Sequence, residues 1–156
     1  MMTSAKMKSE LMALALYSLE AAAATAWAMA FDTFFQDAVT NGVPVAPGST
    51  ALAKADMQSG LVGMSTTGAA SIAAGISAYW AKVATLAPSI WAGTTAATPP
   101  PALAGLQASL ESVFATNILE SASKDTCMGR IADAIFAACT GGLATWPLPI
   151  GPLPIL

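Results

Sequence analysis

Histidine is absent from this sequence, and charge of either sign is scarce. Without an imidazole the chain lacks the commonest general base and the commonest metal ligand. Six basic residues against nine acidic ones leave a net charge of −3, which argues against an electrostatic nucleic-acid binder. Only 10% of the residues are charged, where an ordinary soluble domain carries about a quarter. Cysteine is limited to Cys127 and Cys139, and two thiols with no histidine cannot complete a structural zinc site. If both lie on one helix, twelve residues separate them by about 18 Å, well beyond the reach of about 7 Å that a disulfide allows. They are expected to be small buried thiols, with an intersubunit disulfide as the alternative.

Catalytic motifs are missing as well. No lysine follows a glycine-rich phosphate loop, and there is no dinucleotide fingerprint. The run GMSTTG at 63–68 has the wrong spacing for a nucleophile elbow, and Ser65 has no histidine to activate it. Ser121-Ala-Ser-Lys124 matches the Ser-x-x-Lys pattern of penicillin-recognising enzymes without its companion motifs, and reads instead as helix capping. The carboxylates are scattered. Asp32 and Asp37, five apart, do not share a helix face. The expectation is no catalytic residue, no bound cofactor and no metal.

What the chain has is apolar residues, 55% of 156, with a mean hydropathy of +0.62. Much of this is alanine, which suits close helix packing more than a large core. The length fits one domain. Three stretches carry no charge, at 57–81, 83–110 and 134–156. Each is broken by glycines or prolines, so none is a clean membrane span. Lys6 and Lys8 before the apolar run 11–19, with Ala28-Met29-Ala30 beyond it, imitate a signal peptide. Glu10 and Glu20 bracket the run, and the segment reads as a structural amphipathic helix.

The pattern predicts a mainly α protein of about five helices with a long N-terminal one. Residues 7–39 contain neither glycine nor proline. Met12, Leu16, Leu19, Ala23, Trp27, Phe31 and Phe34 recur there at spacings of three and four. This stripe places Trp27 on the buried face and leaves Glu20, Asp32 and Gln36 outside it. Asn41-Gly42 is expected to end the helix through a left-handed cap, before an extended linker, VPVAPG. A second helix is expected from Ser49 or Thr50 to about Ser65, and a third from Thr67 to Leu86, stopped by Pro88. Ser71, Gly75 and Ala78 give the third a small-residue face for close approach. A fourth opens on Pro99-Pro100-Pro101 and carries Leu103, Leu106, Leu110, Val113 and Asn117. A fifth spans 124–140, capped by Ser123 or Asp125 and ended by Gly141-Gly142.

Residues 1–142 thus form a helical domain, and 143–156 an extended apolar Pro-rich C-terminal arm. The tetrad Pro-Leu-Pro-Ile occurs twice in that arm, at 147–150 and 152–155. Four prolines favour polyproline II or irregular extended chain. Trp146, Leu148, Ile150, Leu153 and Ile155 are the candidate assembly residues, expected to lie in a groove of this chain or of a neighbour. A small helical domain has little spare concave surface, which favours the neighbour. The tryptophans at 27, 80, 91 and 146 are expected to anchor packing or interfaces.

The stretches GTTAATPPPALAGLQASLESVF (93–114) and ADAIFAACTGGLATWPLPIGPLPIL (132–156) resemble the small, charge-poor, Ala/Thr/Gly-rich helical structural proteins of tailed bacteriophages and related contractile injection particles. The resemblance implies a non-enzymatic subunit of a shell, neck, tail or baseplate, located in the virion or particle. Its partners would be copies of itself and other structural subunits. Scarce charge and small-residue helix faces point the same way. A membrane-associated, pore-forming helical protein is the second reading, and a helical module for an apolar small ligand the third. Outside a particle, the expected location is the cytoplasm.

Overall fold

The computed structural model describes residues 1–15 and 19–156. It is mainly helical, with six α-helices among those residues and two small sheets. The long N-terminal helix is instead two, α1 (Ser4–Met12) and α2 (Glu20–Phe35), and the longest helix is the central α4 (Met64–Ile90). One helix over 7–39 would be about 50 Å long, more than a domain with a radius of gyration of about 15 Å can cover. Helix α1 packs against α2 rather than continuing it. Met7 and Leu11 are then fully buried, with α1 packed on both α6 and α2.

The buried face of α2 is also rotated from the expected stripe. Ala24, Ala28, Phe31, Phe34 and Phe35 are buried, Trp27 is only half-buried, and Leu19 is exposed. Leu16 lies outside the described residues. Asp32, expected on the polar side, is buried at 9% exposure.

Asn41-Gly42 does not cap α2, which ends at Phe35. Asn41 (φ 50°) and Gly42 (φ 75°) form the two-residue turn of a hairpin between β1 (Val39–Thr40) and β2 (Val43–Pro44). Positive φ at both central residues is what this tight hairpin turn requires, and Asn-Gly supplies it at least cost.

Helices α3 (Ala51–Gly60) and α4 make the largest helix–helix contact of the fold. The small-residue face expected around Gly75 is where α3 comes close. A Cβ on Gly60 would stand 2.8 Å from the Gly75 Cα, and one on Gly75 would stand 3.1 Å from the Met57 carbonyl oxygen. Helix α4 begins earlier than expected, from the left-handed Gly63, with a kink at Thr67 (φ −126°, ψ 28°). It also runs through Pro88 to Ile90. Proline there loses one hydrogen bond to the carbonyl four residues back, a tolerable loss in the last turn because the Trp91 amide still reaches the Ala87 carbonyl at 2.8 Å.

The second half follows the expected caps closely. A 3-10 turn (Pro101–Gly105) leads into α5 (Leu106–Leu119), which buries Leu106, Leu110 and Asn117. In α6 (Lys124–Cys139) the Ser123 hydroxyl accepts from the Thr126 amide, and Ile131, Ile135 and Ala138 are buried. Arg130 ties the two helices together, donating to the Asn117 side-chain oxygen at 3.0 Å and to Glu120 at 2.6 Å.

The C-terminal segment is a hairpin on the chain's own sheet, not an irregular arm. Strand β4 (Leu143–Trp146) is central, flanked antiparallel by β3 (Ala96–Thr98) and β5 (Gly151–Pro154). The Ile155 amide donates to the Gly142 carbonyl at 2.9 Å, so odd-numbered residues of β5 face β4. Pro152 and Pro154 then fall where an amide would point out of the sheet, the one place a strand accepts proline without losing a ladder bond. Beyond them, Val39 and Leu156 exchange amide–carbonyl bonds of 2.9 Å in both directions, joining the two sheets. The two Pro-Leu-Pro-Ile tetrads therefore have different structures: the first makes the turn, the second the strand.

Candidate assembly surface

The five residues singled out in the C-terminal segment separate into an inner and an outer set. Trp146 and Ile155 are buried and Leu153 is half-buried. The Trp146 indole lies over Gly93, where a Cβ would meet the ring at 2.9 Å, and its N–H points to the Thr40 hydroxyl at 3.5 Å. Leu148 and Ile150 sit in the β4–β5 turn, closed by the Ile150 amide donating to the Pro147 carbonyl. They are 91% and 49% exposed. Alternation along the strands sends Ala144 and Trp146 inward, while the turn has no inner face to offer. The result is an apolar tip on a base held by burial and backbone hydrogen bonds.

A second exposed apolar pair, Ile118 and Leu119, ends α5. Helix α6, sixteen residues and so about 24 Å long, runs from beside that pair to the segment that becomes β4. Periodicity does not mark this pair, which follows Asn117, the last member of the expected α5 stripe.

The residues that resembled catalytic motifs have structural partners. The Ser65 amide and hydroxyl both donate to a Glu20 side-chain oxygen, at 3.2 and 3.1 Å. These bonds hold the Glu20 carboxyl below its ordinary value. Glu20 thus caps α4, whose own N-cap, Gly63, offers no side chain. The Lys124 ammonium donates to the carbonyls of Met12 and Leu14, both at 3.2 Å. Ser121 (φ 48°) occupies the left-handed position between α5 and α6.

Asp32 is buried with satisfied partners. The Tyr79 hydroxyl donates to it at 2.7 Å, and the Lys54 ammonium lies 3.6 Å away. Burial first, then the Asp32 charge, push the Tyr79 phenol far above its ordinary value, so it remains a donor. Among the described residues the Trp91 indole N–H is buried without a partner. Such an orphan costs about 1–3 kcal/mol, which the packing of that ring must exceed.

Both cysteines are free thiols on α6. Burial pushes the Cys139 thiol up to about 12, although the Trp80 indole N–H at 3.4 Å opposes the shift. The thiolate is the reactive form. At pH 8 we therefore expect native protein to release one equivalent of thiol, from half-buried Cys127, to a disulfide reagent. Cys139 should follow only on addition of denaturant. Two thiols titrating at once in the native state would contradict this burial.

Among the described residues no group of three or more acidic or thiol side chains is placed to hold a metal ion. No helix among them is long and apolar enough to cross a membrane. A small apolar cavity of about 140 Å³ lies beside Met2, Phe136 and Ile155, with room for about one benzene-sized group. No protein-family model, curated protein or solved structure matches this chain.

Proposed function

We propose that the chain is a structural subunit of a homo-oligomeric assembly, of the phage-particle type that its second half resembles, and that the hairpin tip is an anchor of the contact between copies. The observation that carries this reading is Leu148, 91% exposed and beside half-exposed Ile150 on a turn whose base is fixed. Covering an aliphatic side chain of this size is worth about 1.5–3 kcal/mol. Because the base is already ordered, little entropy is lost when the tip docks. Scarce charge supports the same reading, since it leaves the surface weakly protected against association. Two side chains do not make an interface of the usual 1,200–2,000 Å². They are the anchor within a larger contact.

The test is the mass of the particle in detergent-free buffer, by mass photometry, for the wild type and for Leu148→Asp/Ile150→Asp. We expect a multimeric wild type and a variant shifted toward the monomer, with an unchanged helical circular-dichroism signal. A wild type that is monomeric at micromolar concentration, or soluble only in detergent, would refute the assembly reading. A variant that assembles normally would remove the tip from it.

A further inference from the structure

The apolar cavity beside the C-terminal hairpin has the size and chemistry to receive one aliphatic side chain. Its floor is made by buried Met2 and Ile155, and half-buried Phe136 forms a wall. Thr140, Gly141 and Pro154, all exposed, form a rim through which it opens to solvent. The Thr140 hydroxyl donates to the Ala137 carbonyl at 2.8 Å, which satisfies the polar group on that rim.

Three other hollows on the surface are made differently. Each has a carboxylate in its wall: Asp56 between α3 and α4, Glu111 between α4 and α5, and Glu10 between α1 and α2. An apolar group docked in any of them would strip water from a charge. The hairpin cavity makes no such demand, since its walls from Phe136 onward belong to the stretch 134–156, which carries no charged residue.

Leu148 is the most exposed large apolar side chain among the described residues. It projects from a turn between Pro147 and Pro149, whose fixed φ leaves the backbone little freedom to lose on docking. An apolar cavity of about 150 Å³ admits benzene, and the isobutyl group of leucine is smaller than benzene, so a cavity of about 140 Å³ holds it. Leu148 does not fill the cavity of its own chain. From Gly151 at the start of β5 to Ile155 on the floor is about 13 Å of extended chain, and at 91% exposure Leu148 touches almost nothing of its own fold.

We infer that this cavity receives Leu148 of a second copy, an assignment that rests on the hairpin tip being the anchor proposed above and names the surface on which it docks. Knob and pocket are different patches, so the contact is heterologous. A copy that fills its neighbour's cavity still offers its own, and repetition builds a closed ring or an open filament.

Two complementary variants test this. Leu148→Asp removes the knob and keeps the cavity, whereas Thr140→Trp covers the mouth from an exposed position and keeps the knob. Each alone should be monomeric by light scattering after gel filtration, at a concentration where the wild type is assembled. Mixed in equal amounts they should form a one-to-one pair, because the knob of the Thr140→Trp chain meets the open cavity of the Leu148→Asp chain. Leu148→Trp separates a fitted knob from a sticky one. Its indole exceeds benzene by a fused ring, so association should weaken several-fold, where general apolar adhesion would strengthen. Circular-dichroism melts check that each variant is folded, and Thr140→Glu, which sets a charge on the rim, replaces the tryptophan variant if that one is not. A Thr140 variant that assembles like the wild type, a mixture that stays monomeric, or tighter association of Leu148→Trp overturns the assignment. Dissociation by Leu148→Asp but not by the Thr140 variants places the tip on another surface and leaves the homo-oligomer reading standing. A monomeric wild type refutes both.

Discussion

Truncation after Gly142 is expected to unfold the protein rather than merely dissociate it. The lost segment contains the central strand of the three-stranded sheet, so both β3 and Val39 lose their backbone partners. It also removes Trp146 from above Gly93, and with it buried Ala144 and Ile155. Covering Trp146 and Ile155 is worth about 1.5–3 kcal/mol each, or more for the indole. Each lost backbone hydrogen bond adds about 0.5–1.5 kcal/mol. A domain whose total stability is about 5–15 kcal/mol does not survive such a sum comfortably. The chain 1–142 should show a weak or absent thermal transition by circular dichroism and a urea midpoint far below that of the full chain. Full helical signal with a cooperative, unshifted transition would show that the hairpin contributes little to its own fold.

The sequence alone points the other way, and the reason lies in two prolines. Four prolines in twelve residues look incompatible with a paired strand, so a free arm seeking a neighbour's groove is the natural expectation. Pro152 and Pro154 escape the conflict because they alternate on the outward side of β5, a phase that is set only once Ile155 bonds to Gly142. The end of α1 at Met12 was hidden for a related reason: a glycine-free, proline-free run carries no local stop signal. Asn41-Gly42 was visible as a turn, but a helix cap and a hairpin turn both call for left-handed residues. By contrast, α6 could be placed almost to the residue, because Ser123 and Gly141 mark its ends chemically, whereas the prolines expected to open the helix before it open a 3-10 turn and α5 starts only at Leu106. The small face around Gly75 was equally legible, though not that Gly60 would be its partner. Of the candidate surface, composition identified the segment, but only the end of β4 at Trp146 separates that buried indole from Leu148, which stands out on the turn beyond it. The partnership of Asp32 with Tyr79, 47 residues away, left no local trace at all.

The largest single-residue effect should come from Phe35. Local pattern favours Trp27 as the costly position on the N-terminal stripe, since Phe35 lies just past its last expected member. Yet Trp27 is half-buried, while Phe35 is fully buried at the meeting point of α2 with α4. Its ring centroid lies 5.0 Å from Tyr79 and 5.1 Å from Trp80, both edge-on, and 5.9 Å from Trp91. Edge-to-face pairs of this kind add about 0.5–1.5 kcal/mol beyond burial alone. Phe35→Ala should therefore cost about 3–5 kcal/mol, the range for a large core aromatic, and leave a cavity walled by rings too rigid to collapse into it. Trp27→Ala should cost clearly less, because part of its indole already contacts water. Urea denaturation followed by circular dichroism measures both, and the emission of Trp80 and Trp91 should shift to the red in the Phe35 variant if water enters the gap. Equal costs at the two positions would mean that Trp27 is covered after all, and the partner covering it would have to be another copy of the chain.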